Sequence, residues 1–397
     1  MGGALRGYRA DVAFDGQRPL PGGALVLVDG ATIVGVEPAA FPPPDGCQVV
    51  HHPAILPGLI DTHVHLCGDS GPAALERIPG LSPEELQTVI DTSLRQHLAA
   101  GVTTVRDLGD HRFAVLERAR TDVTGPAILA AGPPLTSPGG HCSSMGGEAA
   151  GTEALRRAVA ERAERGADVV KIMTSGGAMT SGTDMLATQF TLGELRAVVE
   201  EAHRLGLPVT AHAHGLAAVE TSVEAGVDGI EHCSCLTSGG ARLPDQLAAR
   251  LSSSDIVVCP TLGRLPGLDP PPEVAARLEA AGTSYEQHLP HVAALYRAGV
   301  ALTAGTDAGI GPSKRHGLVP CSVADLVGEC GMSPVEALSA ATGVAARTCG
   351  LDGRTGRLAV GLDADLLLVD GDPLTDITSL QRPRAVVSRG RDVDVGS

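Results

Sequence analysis

The chain has 397 residues, of which 43% are hydrophobic and 19% are charged, and its formal net charge is −16. This composition is typical of globular proteins, and the length is sufficient for one large domain or for two to three smaller ones. The negative charge argues against nucleic acid and anionic membrane as partners, because both bind cationic protein surfaces.

The sequence shows no sign of export or of membrane insertion. No apolar segment follows a basic start at the N-terminus, and no run of about 18 apolar residues occurs. We therefore expect a cytoplasmic protein whose nine cysteines are reduced thiols. Cys233 and Cys235 form a CxC pair, but no second cysteine pair completes a structural zinc site.

The two ends of the chain share a β-like pattern. Residues 1–55 contain the short apolar runs GALVLVDG, ATIVGVE and CQVVHH, separated by turn residues, and residues 350–397 contain LDADLLLVDGDPL and RAVVSRGRDV. Neither end is long enough to make a stable sheet alone. We predict that together they form one small β-sandwich domain.

Residues 56–349 alternate short apolar strands with longer helical segments rich in Ala, Leu, Arg and Glu. One such helix starts with Ser82 as the cap, Pro83 in the first turn and Glu85 at the capping-box position, and it stops at Gly101. The predicted strands are Leu59–His65, Val102–Leu108, Ala127–Gly132, Val169–Met173, Pro208–His214, Gly229–Cys233, Ile256–Leu262 and Ala301–Asp307.

Eight strands that alternate with helices predict an α/β domain with a parallel sheet, and a TIM-like (β/α)8 barrel is the architecture that this number fits best. A doubly wound open sheet is the alternative. The first strand is not followed by a GxGxxG motif, which argues against the dinucleotide-binding form of that sheet.

Metal-binding and basic side chains recur at the ends of the predicted strands, where barrel enzymes carry their chemistry. Each one alone is more often a hydrogen-bonded core residue, but their repetition at successive strand ends favours a metal site. These residues are His63 and His65 on the first strand, Lys171 on the fourth, His212 and His214 on the fifth, His232 on the sixth and Asp307 on the eighth.

Lysine is rare in this chain. Only Lys171 and Lys314 are lysines, against 28 arginines. Lys171 lies within the apolar run VVKIM, where an unpaired ammonium would be costly to bury. A neutral lysine amine can add carbon dioxide to form a carbamate, an anionic bridge between two metal ions that arginine cannot provide.

The motifs PGLIDTHVHL, VVKIMTSGG, HAHG, IEHC and TAGTDAG match the amidohydrolase superfamily in order and approximate spacing. The closing segment from MSPVEAL to DGDPL is also similar, so the resemblance covers essentially the whole chain. VRDLG, the GGHC at 139–142 and KIMTSGG look most like the imidazolonepropionase-related branch. That branch includes prolidase-like and Xaa-Arg/Lys carboxypeptidase-like enzymes.

The resemblance implies a centre with two divalent metal ions, with zinc as the expected metal. His63, His65 and Asp307 would hold the more buried ion, His212 and His232 the second, and Lys171, carboxylated by carbon dioxide on its side-chain nitrogen, would bridge both. Asp307 would also act as general base and then general acid for a metal-bridging hydroxide.

Four further histidines or arginines are candidates for contact with the substrate, each against a plainer alternative. His141 resembles a substrate-contacting histidine of the family, and His214 shares a strand face with His212. Arg264 and His316 follow the seventh and eighth strands and are candidates to bind substrate, although a solvated arginine is an equal alternative. Lys314 is predicted to lie on the surface, and His97, His288 and His291 are predicted to have no role.

The predicted function is hydrolysis of an amide C–N bond in a dipeptide, an N-acyl amino acid or a related small amide. A mononuclear relative that opens a cyclic amide or deaminates a ring is the alternative enzyme, and a non-catalytic barrel is the alternative outside enzymology. A mononuclear site does not need Lys171, and a non-catalytic barrel does not need the full ligand set. The sequence leaves a homo-oligomeric state open.

Overall fold

The computed structural model describes residues 5–121 and 125–393. Its strands are β1 (Arg6–Phe14), β2 (Pro19–Leu20), β3 (Ala24–Asp29), β4 (Thr32–Pro38), β5 (Gln48–Pro57), β6 (Leu59–Val64), β7 (Val102–Asp107), β8 (Ala127–Ala130), β9 (Val170–Met173), β10 (Val209–Gly215), β11 (Gly229–Thr237), β12 (Gly240–Ala241), β13 (Val257–Cys259), β14 (Leu366–Val369), β15 (Pro383–Ser388) and β16 (Arg391–Val393). Its α-helices are α1 (Ala74–Arg77), α2 (Pro83–Ala99), α3 (Ala114–Ala119), α4 (Thr152–Glu164), α5 (Leu192–Arg204), α6 (Leu216–Ala225), α7 (Asp245–Ser252), α8 (Pro272–Ala280), α9 (Tyr285–Arg297), α10 (Val319–Gly328), α11 (Pro334–Ala340) and α12 (Gly343–Thr348). Three short 3-10 helices lie at Ile78–Gly80, Ser143–Met145 and Ile377–Gln381. None of the helices in these residues combines the length and apolar character that crossing a bilayer requires.

Strands from both ends of the chain form one eight-stranded sheet, in the order β16-β15-β14-β5-β1-β3-β4, with β2 paired to β1. β1 runs parallel to β5, and β14 runs antiparallel to β5 with Leu366 opposite Pro57. The predicted boundary at residue 55 falls inside β5. The hydrogen-bond ladders join these strands into a single sheet and do not separate into the two facing sheets of the predicted sandwich.

The central part of the chain alternates parallel strands with helices, as the sequence predicts. β6, β7 and β8 form one parallel sheet, and β9, β10, β11 and β13 form a second, to which β12 adds a short antiparallel edge. The connections between successive strands contain α2 to α7. Both faces of these strands are buried, which explains why their sequences are continuous apolar runs rather than alternating patterns.

The two parallel sheets are joined by single hydrogen bonds and not by regular ladders. Between β8 and β9, the Asp168 N–H donates to the Ala130 carbonyl at 3.0 Å and the Leu135 N–H donates to the Lys171 carbonyl at 2.8 Å. The parallel strands therefore follow one another as expected for a barrel, but regular ladders do not close them into one sheet.

The predicted eighth strand, Ala301–Asp307, is not a regular strand, and this prediction was wrong in that respect. The segment lies between β13 and β6, where the Thr303 N–H donates to Val258 O at 3.0 Å and the Asp307 N–H donates to His63 O at 2.8 Å. Asp307 has a left-handed φ of 58°. The segment bridges its neighbours at single residues, Leu302 opposite Val258 and Ala308 opposite Val64, and the positive φ of Asp307 interrupts the extended backbone between these two bridges.

The sequence signals at helix starts are confirmed in detail. The Ser82 hydroxyl accepts the Glu85 N–H at 3.2 Å, and the Glu85 carboxylate accepts the Ser82 N–H at 2.8 Å, at the start of α2. The same reciprocal pair opens α5 and α11. These capping boxes satisfy N–H groups that the first turn of a helix leaves without partners.

The contact between two hairpin turns predicts a stability difference between two glycine substitutions. Gly390, with φ of 72°, lies so close to another turn that a Cβ atom there would be 1.8 Å from the Gly30 carbonyl oxygen. Gly350, with φ of 67°, has nothing within 4 Å of the same position. We expect G350A to lose about 1 kcal/mol of unfolding free energy from the positive φ alone. G390A should lose about 1–3 kcal/mol more from the clash. Urea unfolding of both variants measures this, and equal losses would contradict the contact.

Candidate metal centre

The first group of predicted ligands meets where β6 ends. His63 lies within β6 and His65 directly follows it, and both side chains are almost fully buried. Asp307 comes from the neighbouring segment, and its Oδ1 lies 3.4 Å from His63 Nε2 and 3.2 Å from His65 Nε2. His63 and Asp307 are 244 positions apart in the sequence. They nevertheless converge on one point, because the segment that carries Asp307 is hydrogen-bonded to β6.

The hydrogen bonds of the two imidazoles fix which nitrogen faces that point. His63 Nδ1–H donates to Glu231 Oε2 at 2.7 Å, and His65 Nδ1–H donates to the Gly109 carbonyl at 3.0 Å. Each Nε2 then presents a lone pair toward the Asp307 carboxylate. Three acceptors directed at one another repel unless a proton or a cation lies between them, so this arrangement fits a divalent metal ion.

The second group contains His212, His214 and His232, whose ring centroids lie 4.5 to 4.7 Å apart. His212 Nε2–H donates to the Gly176 carbonyl at 3.1 Å, which leaves Nδ1 free. The Thr261 hydroxyl donates to Pro260 O, so it accepts from His232 Nδ1–H at 2.7 Å and leaves Nε2 free. This group also offers imidazole lone pairs to a common point, and the His63 and His232 ring centroids are 5.5 Å apart.

Lys171 lies between the two groups. It belongs to β9, its side chain is almost fully buried, and its Nζ is 3.5 Å from His63 Nε2. Within residues 5–121 and 125–393, no carboxylate lies within ion-pair distance of this Nζ. Burial lowers the pKa of Lys171, while the charges of Glu231 and Asp307 raise it. Carbon dioxide adds to the neutral form of an amine, which is the form that burial favours.

Burial also keeps most of the histidines neutral. It lowers the pKa of His63 to about 4, and it places the pKa values of His212 and His232 well below the ordinary value. His65 differs, because the hydrogen bond and the charge of Asp307 outweigh burial and raise its pKa.

Glu231 is the functional residue that the sequence reading missed. Its carboxylate accepts from His63 Nδ1–H, lies 3.3 Å from Arg106 Nη2 and accepts the Thr210 hydroxyl at 2.5 Å. Burial raises the pKa of Glu231, but the opposite effect of His63, Lys171 and Arg106 is larger and brings that pKa to about 2. A glutamate inside the buried strand motif GIEHC was the available signal, since an unpaired carboxylate is not tolerated there.

A cavity of about 810 Å³ opens onto both groups. His141 lines it with its ring centroid 4.5 Å from that of His212, and Thr180 Oγ1 lies 2.9 Å from His141 Nδ1. A Cβ on Gly177 would be 2.4 Å from His141 Nε2, so this glycine leaves room for the ring. His141 and His214 therefore line the same cavity as the predicted metal ligands.

The structure gives less support to Arg264 and His316 as residues that contact the substrate. Arg264 lines the cavity, but its guanidinium already pairs with Glu286 and lies over the Tyr285 ring. His316 is not among the residues that line the cavity. Its Nε2–H donates to the Gly68 carbonyl at 2.8 Å, and its Nδ1 is 3.1 Å from His97 Nε2. Both ring nitrogens are used within the protein, so the structure does not support contact between His316 and a substrate.

The structure places Lys314 and His288 at the cavity, which the sequence does not predict. Lys314 is not a surface residue, because it lines the cavity and its Nζ donates to the Thr261 carbonyl at 2.7 Å. His288 also lines the cavity, and its Nε2 lies 3.1 Å from the Pro260 carbonyl. The sequence does not show either placement, because both residues reach the site from loops and helices outside the strands.

Comparison with known proteins decides the family. A family model described as "Amidohydrolase family" matches residues 54–393. The chain belongs to the amidohydrolase family. It is 30% identical to ochratoxinase from Aspergillus niger over 94% of this chain and 82% of that protein. It is 28% identical to imidazolonepropionase from Rubrobacter xylanophilus over 87% of this chain and 84% of that protein.

A solved structure extends the likeness to the fold. A Xaa-Pro dipeptidase with methionine bound in its active site is 25% identical, with a TM-score of 0.85 over 98% of this chain and 99% of that chain. The imidazolonepropionase-related and prolidase-like resemblance is thereby confirmed. Amidohydrolases are generally metal-dependent, and the His and Asp groups of this chain fit that requirement. A hydrolase activity on amide bonds is the coarse function that these relatives support.

The position of Glu231 predicts how metal affinity responds to its loss. E231Q keeps the shape of the side chain but removes the charge that orients His63 through Nδ1–H. We expect zinc affinity to fall about 10- to 100-fold, as for other residues that hold metal ligands in place. Competition with a chromophoric chelator measures this. E201Q, a glutamate paired with Arg204 on α5, is the control and should retain the wild-type affinity. An unchanged affinity in E231Q would contradict the role of Glu231.

Proposed function

We propose that this amidohydrolase cleaves the amide C–N bond of a dipeptide or an N-acyl amino acid at a centre of two divalent metal ions, zinc being the expected metal. The observation that carries the proposal is the convergence of imidazole lone pairs and one carboxylate at two neighbouring points, with a buried lysine amine between them. One point alone would fit a mononuclear enzyme.

In this proposal His63, His65 and Asp307 hold one ion, and His212 and His232 hold the other. Lys171 would hold both ions as a carbamate, which forms when its neutral amine adds carbon dioxide and releases a proton. Bound divalent ions supply Lewis acidity, which polarises an amide carbonyl and makes water a better nucleophile. The hydrogen bonds from His63 and His65 to Glu231 and Gly109 keep the required nitrogens deprotonated.

Asp307 is the proposed proton carrier. Burial raises its pKa, but the charge of His63 and the hydrogen bond with His65 hold that pKa well below its usual range. The carboxylate is therefore available to accept a proton from the attacking water. It then donates that proton to the leaving nitrogen, which makes the amine a better leaving group. Its left-handed φ of 58° and its N–H bond to His63 O hold it at the mouth of the centre.

His141 is the proposed donor to the substrate carbonyl. Thr180 Oγ1 accepts the Cys142 N–H at 3.1 Å, so its own proton is directed to His141 Nδ1 at 2.9 Å. In this assignment His141 Nε2–H is a donor at the cavity, where Cys142 Sγ lies 3.5 Å from it. Burial lowers the pKa of His141 to about 3, so the ring stays neutral and does not repel the metal ions. His214, with Nδ1 3.0 Å from Ser234 Oγ, lies beside it and completes the polar wall.

The mononuclear cyclic-amide hydrolase is the second candidate, because imidazolonepropionase is among the relatives. Lys171 argues against it, since a single ion held by His63, His65 and Asp307 leaves this buried amine without a function. The number of metal ions per chain separates the two.

The deciding experiment is a hydrolysis screen. Metal-loaded protein is incubated with dipeptides, N-acyl amino acids and cyclic amides, and release of free amine is measured. We expect release from dipeptides or N-acyl amino acids, loss of activity after chelation, and recovery when zinc is returned. Ring opening of a cyclic amide with one ion per chain would overturn the proposal in favour of the mononuclear candidate. No hydrolysis of any member would overturn both.

The carbamate makes a separate prediction. In K171R the guanidinium cannot add carbon dioxide, so metal content should fall from two ions per chain to one or fewer, and hydrolysis should fall about 1,000-fold or more, on the scale of losing a main electrostatic element. As an internal control, wild-type apoprotein reloaded without bicarbonate should recover slowly and bicarbonate should speed it, whereas K171R should not respond. Two ions bound by K171R would refute the bridge.

A further inference from the structure

Both lysines of the chain lie at the same cavity. Of 30 basic residues only Lys171 and Lys314 are lysines, and both line the cavity that opens onto the metal ligands. The proposed function uses Lys171 and leaves Lys314 without a task. A chain that uses arginine almost everywhere else has kept a compact ammonium at this second position of the same site.

The backbone around Lys314 is fixed by the turn that follows Asp307. The Gly309 N–H donates to the Lys314 carbonyl at 2.8 Å, and the Lys314 N–H donates to the Gly311 carbonyl at 2.9 Å. The side chain leads inward, where Nζ donates to Thr261 O at 2.7 Å and lies 5.4 Å from the Tyr285 ring centroid. Thr261 also accepts the Nδ1–H of His232, so the ammonium lies close to the second group of metal ligands.

The charge of Lys314 is not neutralised by a neighbouring carboxylate. In the part of the chain that the structure describes, no acidic oxygen lies within 4.0 Å of its Nζ, and Thr261 O is its hydrogen-bond partner. An ammonium has three N–H donors, and the bond to Thr261 O uses one of them. Burial lowers the pKa of Lys314, and the charges of Asp307, Asp325 and Asp61 oppose that shift. An anion in the cavity would satisfy the remaining donors.

The other groups nearby are already paired. The Arg264 guanidinium binds Glu286, and the Tyr285 hydroxyl donates to Asp325. Of the two cations Lys314 and Arg264, Arg264 is thus already paired with a carboxylate. The charge of Lys314 remains for a ligand.

We propose that Lys314 binds the free carboxylate of the substrate, and that the leaving group is an α-amino acid. The inference rests on the proposed function. Asp307 donates the proton to the leaving nitrogen, and Lys314 follows it by seven positions on the same turn. An α-amino acid carries its nitrogen and its carboxylate on the same carbon. As a leaving group it therefore presents the nitrogen to Asp307 and the carboxylate to Lys314 at the same time. Apolar side chains such as Met173, Met185 and Leu278 line the same cavity and suit an uncharged side chain.

The test compares one substrate in two forms. The best free-acid substrate from the screen is paired with its own carboxamide, which keeps the scissile bond but removes the negative charge. In the wild type, kcat/KM should favour the acid. In K314M it should fall about 10- to 100-fold for the acid, the range for losing a charged hydrogen bond, and change less than about 3-fold for the carboxamide. The loss should lie mainly in KM. K314R, with a larger guanidinium, should recover only part of it.

R315M is the matched control. It removes one positive charge from the adjacent, exposed position of the same turn, outside the cavity lining, and should keep the preference for the acid. Metal content and apparent melting temperature of each variant show whether it folds.

Five outcomes are decisive. An acid-specific loss in K314M alone supports the proposal. Equal losses for acid and carboxamide would show that Lys314 only holds the Thr261 carbonyl and would overturn it. An acid-specific loss in R264M, with none in K314M, would transfer the subsite to Arg264. A wild type that cleaves neither form refutes the proposed function, whereas one that cleaves both equally refutes this inference alone.

Discussion

The hydrogen bond between His63 and Glu231 is the contact on which the rest of the centre depends. His63 belongs to β6 in the first parallel sheet and Glu231 to β11 in the second, and regular ladders do not join these sheets. The same carboxylate contacts Arg106 from β7 and Thr210 from β10. One buried anion thus ties together four strands. Removing one partner of such a buried pair typically costs about 3–5 kcal/mol, because the other charge is left uncompensated.

This arrangement makes the fold and the metal centre parts of one polar network. Glu231 sets the orientation of His63, and the Gly109 carbonyl and Thr261 hydroxyl do the same for His65 and His232. The backbone contributes as well, since His232, Thr261 and Asp307 all have a positive φ. Non-glycine residues adopt this conformation at a cost, and it persists where surrounding contacts enforce it. Here it turns the side chains of the strand ends toward the cavity.

Much of this was readable from the sequence, for physical reasons that also mark the limits. Strands have a fixed period, and polar residues within apolar runs are conspicuous. The sequence therefore predicts candidate ligands at the strand ends, namely His63, His65, Lys171, His212 and His232. The start of α2 was readable because a capping box is local. The eighth strand was misread because an apolar run of the right length does not reveal that residues 301–307 bridge their neighbours at single residues, without a regular ladder.

Residues whose role depends on distant partners could not be found in this way. Glu231 is distinguished from a misplaced surface glutamate by its partners His63, Arg106 and Thr210, which lie 168, 125 and 21 positions away. Lys314 sits in a polar segment, GPSKRHG, that is typical of an exposed loop, and the fold turns its side chain inward to Thr261. His316 shows the reverse, since its position after a strand suggested the cavity and its ring is taken by Gly68 and His97.

The continuity of β5 and β6 has a consequence for how the protein is made. Only Gly58 separates them, and its N–H donates to the Asp365 carbonyl at 2.9 Å, while β5 pairs with β14. The first metal-binding strand is thus anchored by residues that leave the ribosome about 300 positions later, an interval taken from the pairing of Leu366 with Pro57. His63 and His65 are therefore synthesised long before β14, the strand that pairs with β5. A chain interrupted before β14 therefore carries His63 and His65 without the strand that anchors β5 and, through it, β6.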